Sequence, residues 1–390
     1  MHSKWNLSIH RVLATSVAAI VATTSLYAIP KGPCDKAPEV CCEEPKPGPF
    51  AFVYPFDKGL ACPRDFSAHV DGLAFQAKQD GMAWVIRNSN GGQGSAVSIA
   101  NGQVEGFSTD HSDWSYNPGI RFGVGFVLDH DAWGIGFDWT WLNITNYKSR
   151  NSSTAGELMI PEFATGIGTP SPMVGYRTSA VWKTSYNTLD AFLGKGFHVS
   201  RYLVLNPHFG LRAGWIDQHF SVDYSGLNSL LHRFVHHSDN NFWGVGARMG
   251  LNSEWILGKG WNLFTRSAFS MLFSKFEITQ QLKYPTSIDN ADGFDLEENY
   301  YQNAPNFEMA IGLAWGRHFN KQKYHVSLKA AYEFHEWFDQ LNIRKFFSGA
   351  YGLSGANSGT AVATDAYAND TVSRGNLTLN GFSLRLELDI

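Results

Sequence analysis

After its N-terminal apolar segment the chain has no run of roughly 20 consecutive apolar residues, which excludes a bundle of membrane-spanning helices. Charge is scarce: Asp, Glu, Lys and Arg together make only 17% of the residues. Cysteine is limited to Cys34, Cys41, Cys42 and Cys62, so no cysteine framework organises the chain beyond them. There is no HExxH pattern, Gly194, Lys195 and Gly196 lack the rest of a phosphate loop, and no Asp, His or Ser constellation stands out at one rim. No catalytic, cofactor-binding or metal residue is therefore assigned, and the chain is not expected to be an enzyme. Its mild acidity argues against a nucleic acid partner.

What is present is aromatic residue, at 14%, and 38 glycines, in a strict alternation. Ile120, Phe122, Val124, Phe126 and Leu128 share one parity while Arg121, Gly123 and Gly125 hold the other. After the turn Asp129, His130, Asp131, the residues Trp133, Ile135, Phe137, Trp139 and Trp141 alternate with Gly134, Gly136, Asp138 and Thr140. Period two means strands. Large side chains on one face, with glycine, hydroxyl and charge on the other, put the apolar face against lipid and the polar face in a lumen. Later segments repeat the pattern, most cleanly from Trp243 to Leu257, which turns at Gly258, Lys259 and Gly260. A spanning barrel hides half its residues from lipid, which accounts for a mean hydropathy of only -0.22.

Joint lengths set the topology. Those at 129–131, 198–201, 258–260 and 320–322 are short, and those around 150–175, 225–240, 285–304 and 347–375 are long. Short periplasmic turns and long external loops are the rule in outer-membrane barrels. The expected fold is all-β, a transmembrane antiparallel barrel of ten to twelve strands, with up to sixteen if the long loops hide weak ones. Ten holds if 102–128 is one loop plus one strand, and twelve if 82–88 and 102–108 pair separately. The inward parity nominates Arg121, Asp138, Arg212, Arg248, Glu254, Arg266, Glu308, Lys329, Glu333 and Arg385 as pore-lining. Both signs occur in similar number, so ion selectivity should be weak, unless Arg and Glu pair across the lumen and partly close it.

Most aromatic doublets read as interfacial girdles; Phe242 and Trp182 are the few lumen aromatics on which a sugar could stack. His232, His236 and His237 lie with Asp239 in a loop where Leu227, Leu230, Leu231, Phe234 and Val235 give the pattern of a short amphipathic helix. Without a third fixed ligand this reads as a solvated helix and not a zinc site. The segment Ser354 to Thr360 is rich in small residues and is expected to be an exposed loop, with host contact as one use of it. The last strand keeps its alternation but ends on Ile390 where barrels commonly end on an aromatic.

Residues 1–28 read as a cleaved secretory signal peptide, with Lys4 and Arg11 before an apolar core and Ala28 at the cleavage site. Removing them leaves 29 basic residues against 35 acidic ones. Residues 29–65 form a Cys- and Pro-rich periplasmic segment, and 66–390 the barrel. In an exported chain the four cysteines are disulfide candidates, with bridges inside the chain or to another envelope protein.

Tyr27, Ala28, Ile29 and Pro30, the Cys/Pro-rich leader, the run Asn117 to Gly125 and the run Trp133 to Thr140 together resemble the major outer membrane proteins of Legionella and the chlamydia-related bacteria. That resemblance implies an abundant porin, oligomeric, in an envelope braced by disulfides. The expected function is passive diffusion of small hydrophilic solutes and ions across the bacterial outer membrane, with lipid around the wall. The alternative is a structural or adhesive barrel with a largely closed lumen.

Overall fold

A computed structural model describes residues 54–55, 60, 66–88, 103–107, 115–128, 133–151, 158–163, 177–225, 233–283, 292–350 and 366–390. All four cysteines, the signal segment and the loop around Ser354 lie outside these residues. The strands are β1 (Tyr54–Pro55), β2 (Phe66–Gln79), β3 (Ala83–Asn88), β4 (Gln103–Gly106), β5 (Asn117–Val127), β6 (Gly134–Asn151), β7 (Leu158–Pro161) and β8 (Arg177–Gly194). They continue with β9 (Phe197–Ser200), β10 (Leu203–Ser225), β11 (Arg233–Gly258), β12 (Trp261–Lys283), β13 (Asp292–Phe319), β14 (Tyr324–Ala350) and β15 (Ala366–Asp389).

Ten strands form one closed antiparallel barrel, in the order β2, β5, β6, β8, β10, β11, β12, β13, β14 and β15. The ring closes because β15 pairs back onto β2 and β8 pairs with β10. Closure leaves no free edge, so backbone N–H and C=O groups in the bilayer are satisfied between strands. Outside the ring, β9 pairs with the start of β10 and carries β1 as its partner.

The wall's outer face is apolar where it meets lipid. On β11 this band runs from Trp243 through Val245, Met249 and Leu251 to Trp255, all exposed. At about 3.3 Å per residue and a tilt near 40°, Trp243 to Trp255 covers about 30 Å, the thickness of the hydrocarbon core. Trp255, Trp261 and Trp315 mark the periplasmic rim of the band, and Trp243 and Tyr301 its outer rim. The turns at the periplasmic rim are tight: Gly258, Lys259 and Gly260 all have positive φ, as do Asn320, Lys321 and Gln322. At the other end the β10–β11 hairpin continues ten residues past Trp243 before Arg233, about 25 Å beyond the membrane.

Three expectations change. The segments expected at 82–88 and 102–108 do pair separately, but over 83–88 and 103–106, as β3 and β4 in a three-stranded sheet with β7, not as wall. The wall is therefore ten-stranded. Residues 233–240 are strand and not helix, because Phe234, His236, Ser238 and Asn240 face inward at period two and both neighbours supply a ladder. The long joint expected at 285–304 is shorter, since β13 already begins at Asp292.

The small sheet lies inside the outer half of the barrel. Met82, Trp84, Val85, Phe107, Met159 and Phe163 join one continuous buried cluster with inward side chains of β2, β6, β8 and β10 through β15. Trp84, Trp182 and Trp337 at its centre have no solvent-exposed surface. This layer is an apolar stopper across the lumen.

Candidate functional site: the interior belt and its stopper

Below the stopper, at the depth of the bilayer, the lumen carries charge. The inward parity of each wall strand brings the ten side chains singled out from the sequence onto the inner face. Seven of them, Arg121, Arg212, Arg248, Arg266, Glu308, Glu333 and Arg385, share one connected network with Asp71, Asp190, His335 and Thr140.

The network can be walked around the ring. Arg385 donates to both oxygens of Asp71, at 2.7 and 2.8 Å. Arg121 bonds the same carboxylate at 3.0 Å, reaches Glu333 at 2.9 Å and gives its Nε–H to Thr140 at 3.0 Å. Glu333 also accepts from Arg266 at 2.8 Å. His335 sits 3.1 Å from Glu333 on one ring nitrogen and 3.1 Å from Glu308 on the other. Glu308 accepts from Arg248 at 2.7 Å and from Arg212, and Arg212 forks onto Asp190 with two contacts of 2.6 Å. Every wall strand contributes: Asp71, Arg121, Thr140, Asp190, Arg212, Arg248, Arg266, Glu308, Glu333 and Arg385 come from ten different strands. Charges at this depth are stable because they are paired and hydrogen-bonded, and because they face away from lipid.

The other three lie beside the network. Asp138 faces His69 at 3.5 Å across Gly123, where a Cβ would meet both side chains at 2.1 to 2.2 Å. Glu254 and Lys329 are 3.8 Å apart nearer the periplasm, and Lys329 also pairs with Glu387 at 3.0 Å. The space left between belt residues is a cavity of about 120 Å³, lined by His69, Arg248, Arg266 and Glu308 among others, a volume with room for a few waters. Among the described residues the buried Nε–H of Arg248 and of Arg266 has no hydrogen-bond acceptor, although Arg248 Nε lies 3.9 Å from Asp190.

The stopper is fastened to the wall by polar contacts at its margins. Lys148 of β6 donates to the Gly106 carbonyl at 3.0 Å and lies 5.8 Å from the Phe107 ring centre. Lys345 of β14 pairs with Glu162 at 3.0 Å and lies 5.4 Å from the Phe163 ring. The Tyr224 hydroxyl donates to the Trp84 carbonyl. Phe107 packs on Trp182 and Phe220, and Phe163 stacks on His236 with ring centres 4.2 Å apart and planes 8° from parallel.

Phe242 and Trp182 do face the lumen, but both are fully buried within this layer, so neither offers a ring to a passing sugar. The histidine pair is split by the strand: His236 points into the stopper and His237 outward. Among the described residues no group of three or more His, Cys, Asp or Glu is placed to hold a metal ion. Asp71, Asp190 and His335 were missed by the sequence reading. Inward parity was the available signal for His335, which follows the outward-facing Tyr332 and Phe334 and shares the face of Glu333.

The family described as Legionella pneumophila major outer membrane protein precursor matches residues 63–390. No curated protein matches the chain. Among solved structures, the chain is similar to the outer membrane protease OmpT from Escherichia coli, at 12% identity and a TM-score of 0.36, covering 84% of this chain and 97% of that one. It is also similar to a Pseudomonas aeruginosa FadL homologue, at 10% identity and a TM-score of 0.22 over 83% and 89% of the two chains. The Pseudomonas putida toluene transporter TodX follows at 8% identity and a TM-score of 0.21 over 84% and 90%. Likenesses this distant say nothing of what the chain does.

Proposed function

We propose, for a chain that belongs to the family of the Legionella pneumophila major outer membrane protein, the function of a gated porin of the outer membrane. Small hydrophilic solutes and ions diffuse through the lumen when the stopper moves aside and belt pairs such as Arg121 with Glu333 and Arg212 with Glu308 part behind it, and the lumen is shut while the stopper stays in place. One observation carries this reading: the apolar layer above the belt is built in part from β3, β4 and β7, which belong to no wall strand pair. A plug made of separate segments can leave without breaking the barrel's closure. The wall itself cannot.

Belt residues of both signs at mid-bilayer depth support passage of water-soluble species and weak charge discrimination. Arg121, Asp138, Arg212, Arg248, Glu254, Arg266, Glu308, Lys329, Glu333 and Arg385 are the residues proposed to line the path. Residues 29–65 are proposed as a periplasmic segment after signal cleavage, with Cys34, Cys41, Cys42 and Cys62 in disulfides; a ladder of oligomers on non-reducing gels of purified envelopes that collapses with reductant would support cross-links between chains, and monomer alone would confine any bridges to one chain.

A second reading is a structural barrel whose work is done by its external loops. The continuity of the buried layer across nine of the ten wall strands favours it. Planar-bilayer recording of pure refolded protein separates the two: conductance steps support the gated porin, and silence in wild type and in stopper-weakened variants supports the closed barrel.

A further inference from the structure

His236 sits where an ordinary core residue would be expected. It projects from β11 seven residues beyond Trp243, outside the hydrocarbon band, and is fully buried. Among the described residues neither ring nitrogen has a hydrogen-bond partner. Its ring lies flat on Phe163 of the stopper at 4.2 Å, with Phe220 of β10 at 6.2 Å and Phe294 of β13 at 6.1 Å closing the other sides. A neutral imidazole fits such an aromatic box; an imidazolium with two N–H donors and nothing to accept them does not.

We propose that His236 is an acid-sensitive latch: neutral, it holds the stopper shut through Phe163, and protonated, it drives Phe163 and the small sheet off the wall. The inference rests on the reading of β3, β4 and β7 as a movable stopper. The charged and titratable groups around the ring reinforce the sign. Lys345 of β14 and the neighbouring His237 add positive charge, Glu162 is already engaged by Lys345, and the hydroxyl of Tyr224 is occupied by the Trp84 carbonyl. Among the described residues no carboxylate hydrogen-bonds the His236 ring, whose ring contacts include Phe163, Phe220 and Phe294.

Burial, with His237 and Lys345 second, pushes the His236 imidazole down to about 3 from an ordinary 6.5. A group whose pKa is lower in the shut state binds its proton more readily in the open one. The shut state is therefore fully favoured above about pH 6.5 and loses ground as pH falls from there toward 3. With 6.5 restored on opening, the open-to-shut ratio rises about 30-fold between pH 7.5 and pH 5.0.

The test is hydrogen exchange by mass spectrometry on the full chain refolded in lipid vesicles, at pH 7.5 and 5.0, corrected for intrinsic exchange. Peptides spanning 83–88 and 158–163 should lose protection about 30-fold at pH 5.0, while those within 264–276 of the wall stay constant. His236→Phe keeps the stack and removes the titration, so its stopper peptides should be equally protected at both values. Unchanged protection in wild type would overturn the latch, whatever the variant does. So would an equal acid response in wild type and His236→Phe. Conductance recorded in parallel keeps the two ideas apart: acid-induced exposure without current upholds the latch and sinks the porin, whereas pH-independent current with constant protection does the reverse.

Discussion

Arg212 holds the belt together more than any other single side chain. It is 2% exposed and binds Asp190 with both arms, Glu308 and Asn306. Arg212→Met keeps the volume and removes the charge, leaving two carboxylates short of a partner at bilayer depth. The expected loss is about 3–5 kcal/mol, read from urea unfolding in detergent. A loss under about 1 kcal/mol would mean the network reorganises freely. Much of the belt was legible, because alternation assigns Arg121 or Arg385 to the lumen without any knowledge of partners. Asp71 was not, because its strand has Val70, Gly72 and Ala74 on the lipid face, too little apolar mass to declare a parity. Who pairs with whom was out of reach, since Arg121 and Glu333 meet across 212 residues of sequence.

At the scale of elements, the wall strands announce themselves and the stopper does not. A wall strand has more than ten residues of alternation and a turn at its end. By contrast, β3, β4 and β7 are four to six residues long, and their apolar character matches that of any wall fragment. The helix expected before residue 240 fails for a related reason: Phe234 and Val235 fit a 3.6-residue period as well as a two-residue one, and only the ladders from β10 and β12 decide. Two predictions belong here. Trp84→Ala empties the centre of the stopper and should cost its local stability about 3–5 kcal/mol, seen as faster exchange at 83–88 with the wall unaffected. Gly246 allows β11 and β12 to approach so closely that an added Cβ would lie 1.9 Å from the Met271 carbonyl oxygen and 2.6 Å from the Leu272 Cα. Gly246→Ala should therefore destabilise the wall itself by about 1–3 kcal/mol, visible as a lower midpoint for the heat-induced gel shift of the folded barrel.

For the whole molecule, the closed ten-strand ring, the apolar band of about 30 Å and the tight periplasmic turns make an outer-membrane barrel, and the family match agrees with it. The alternation of short and long joints carried that architecture in the sequence, since a hairpin's length is local information. The filling of the outer lumen was not local: it needs segments 75 residues apart in sequence, at Trp84 and Met159, to meet inside a ring that neither builds. The central claim is that this filling is a gate and not a fixture. It is tested most directly by single-channel recording in planar bilayers of wild type beside the double variant Trp84→Ala, Phe163→Ala. The account predicts brief, infrequent steps in wild type at pH 7.5 and long-lived conductance in the variant; silence from a variant shown to be folded and inserted would contradict it.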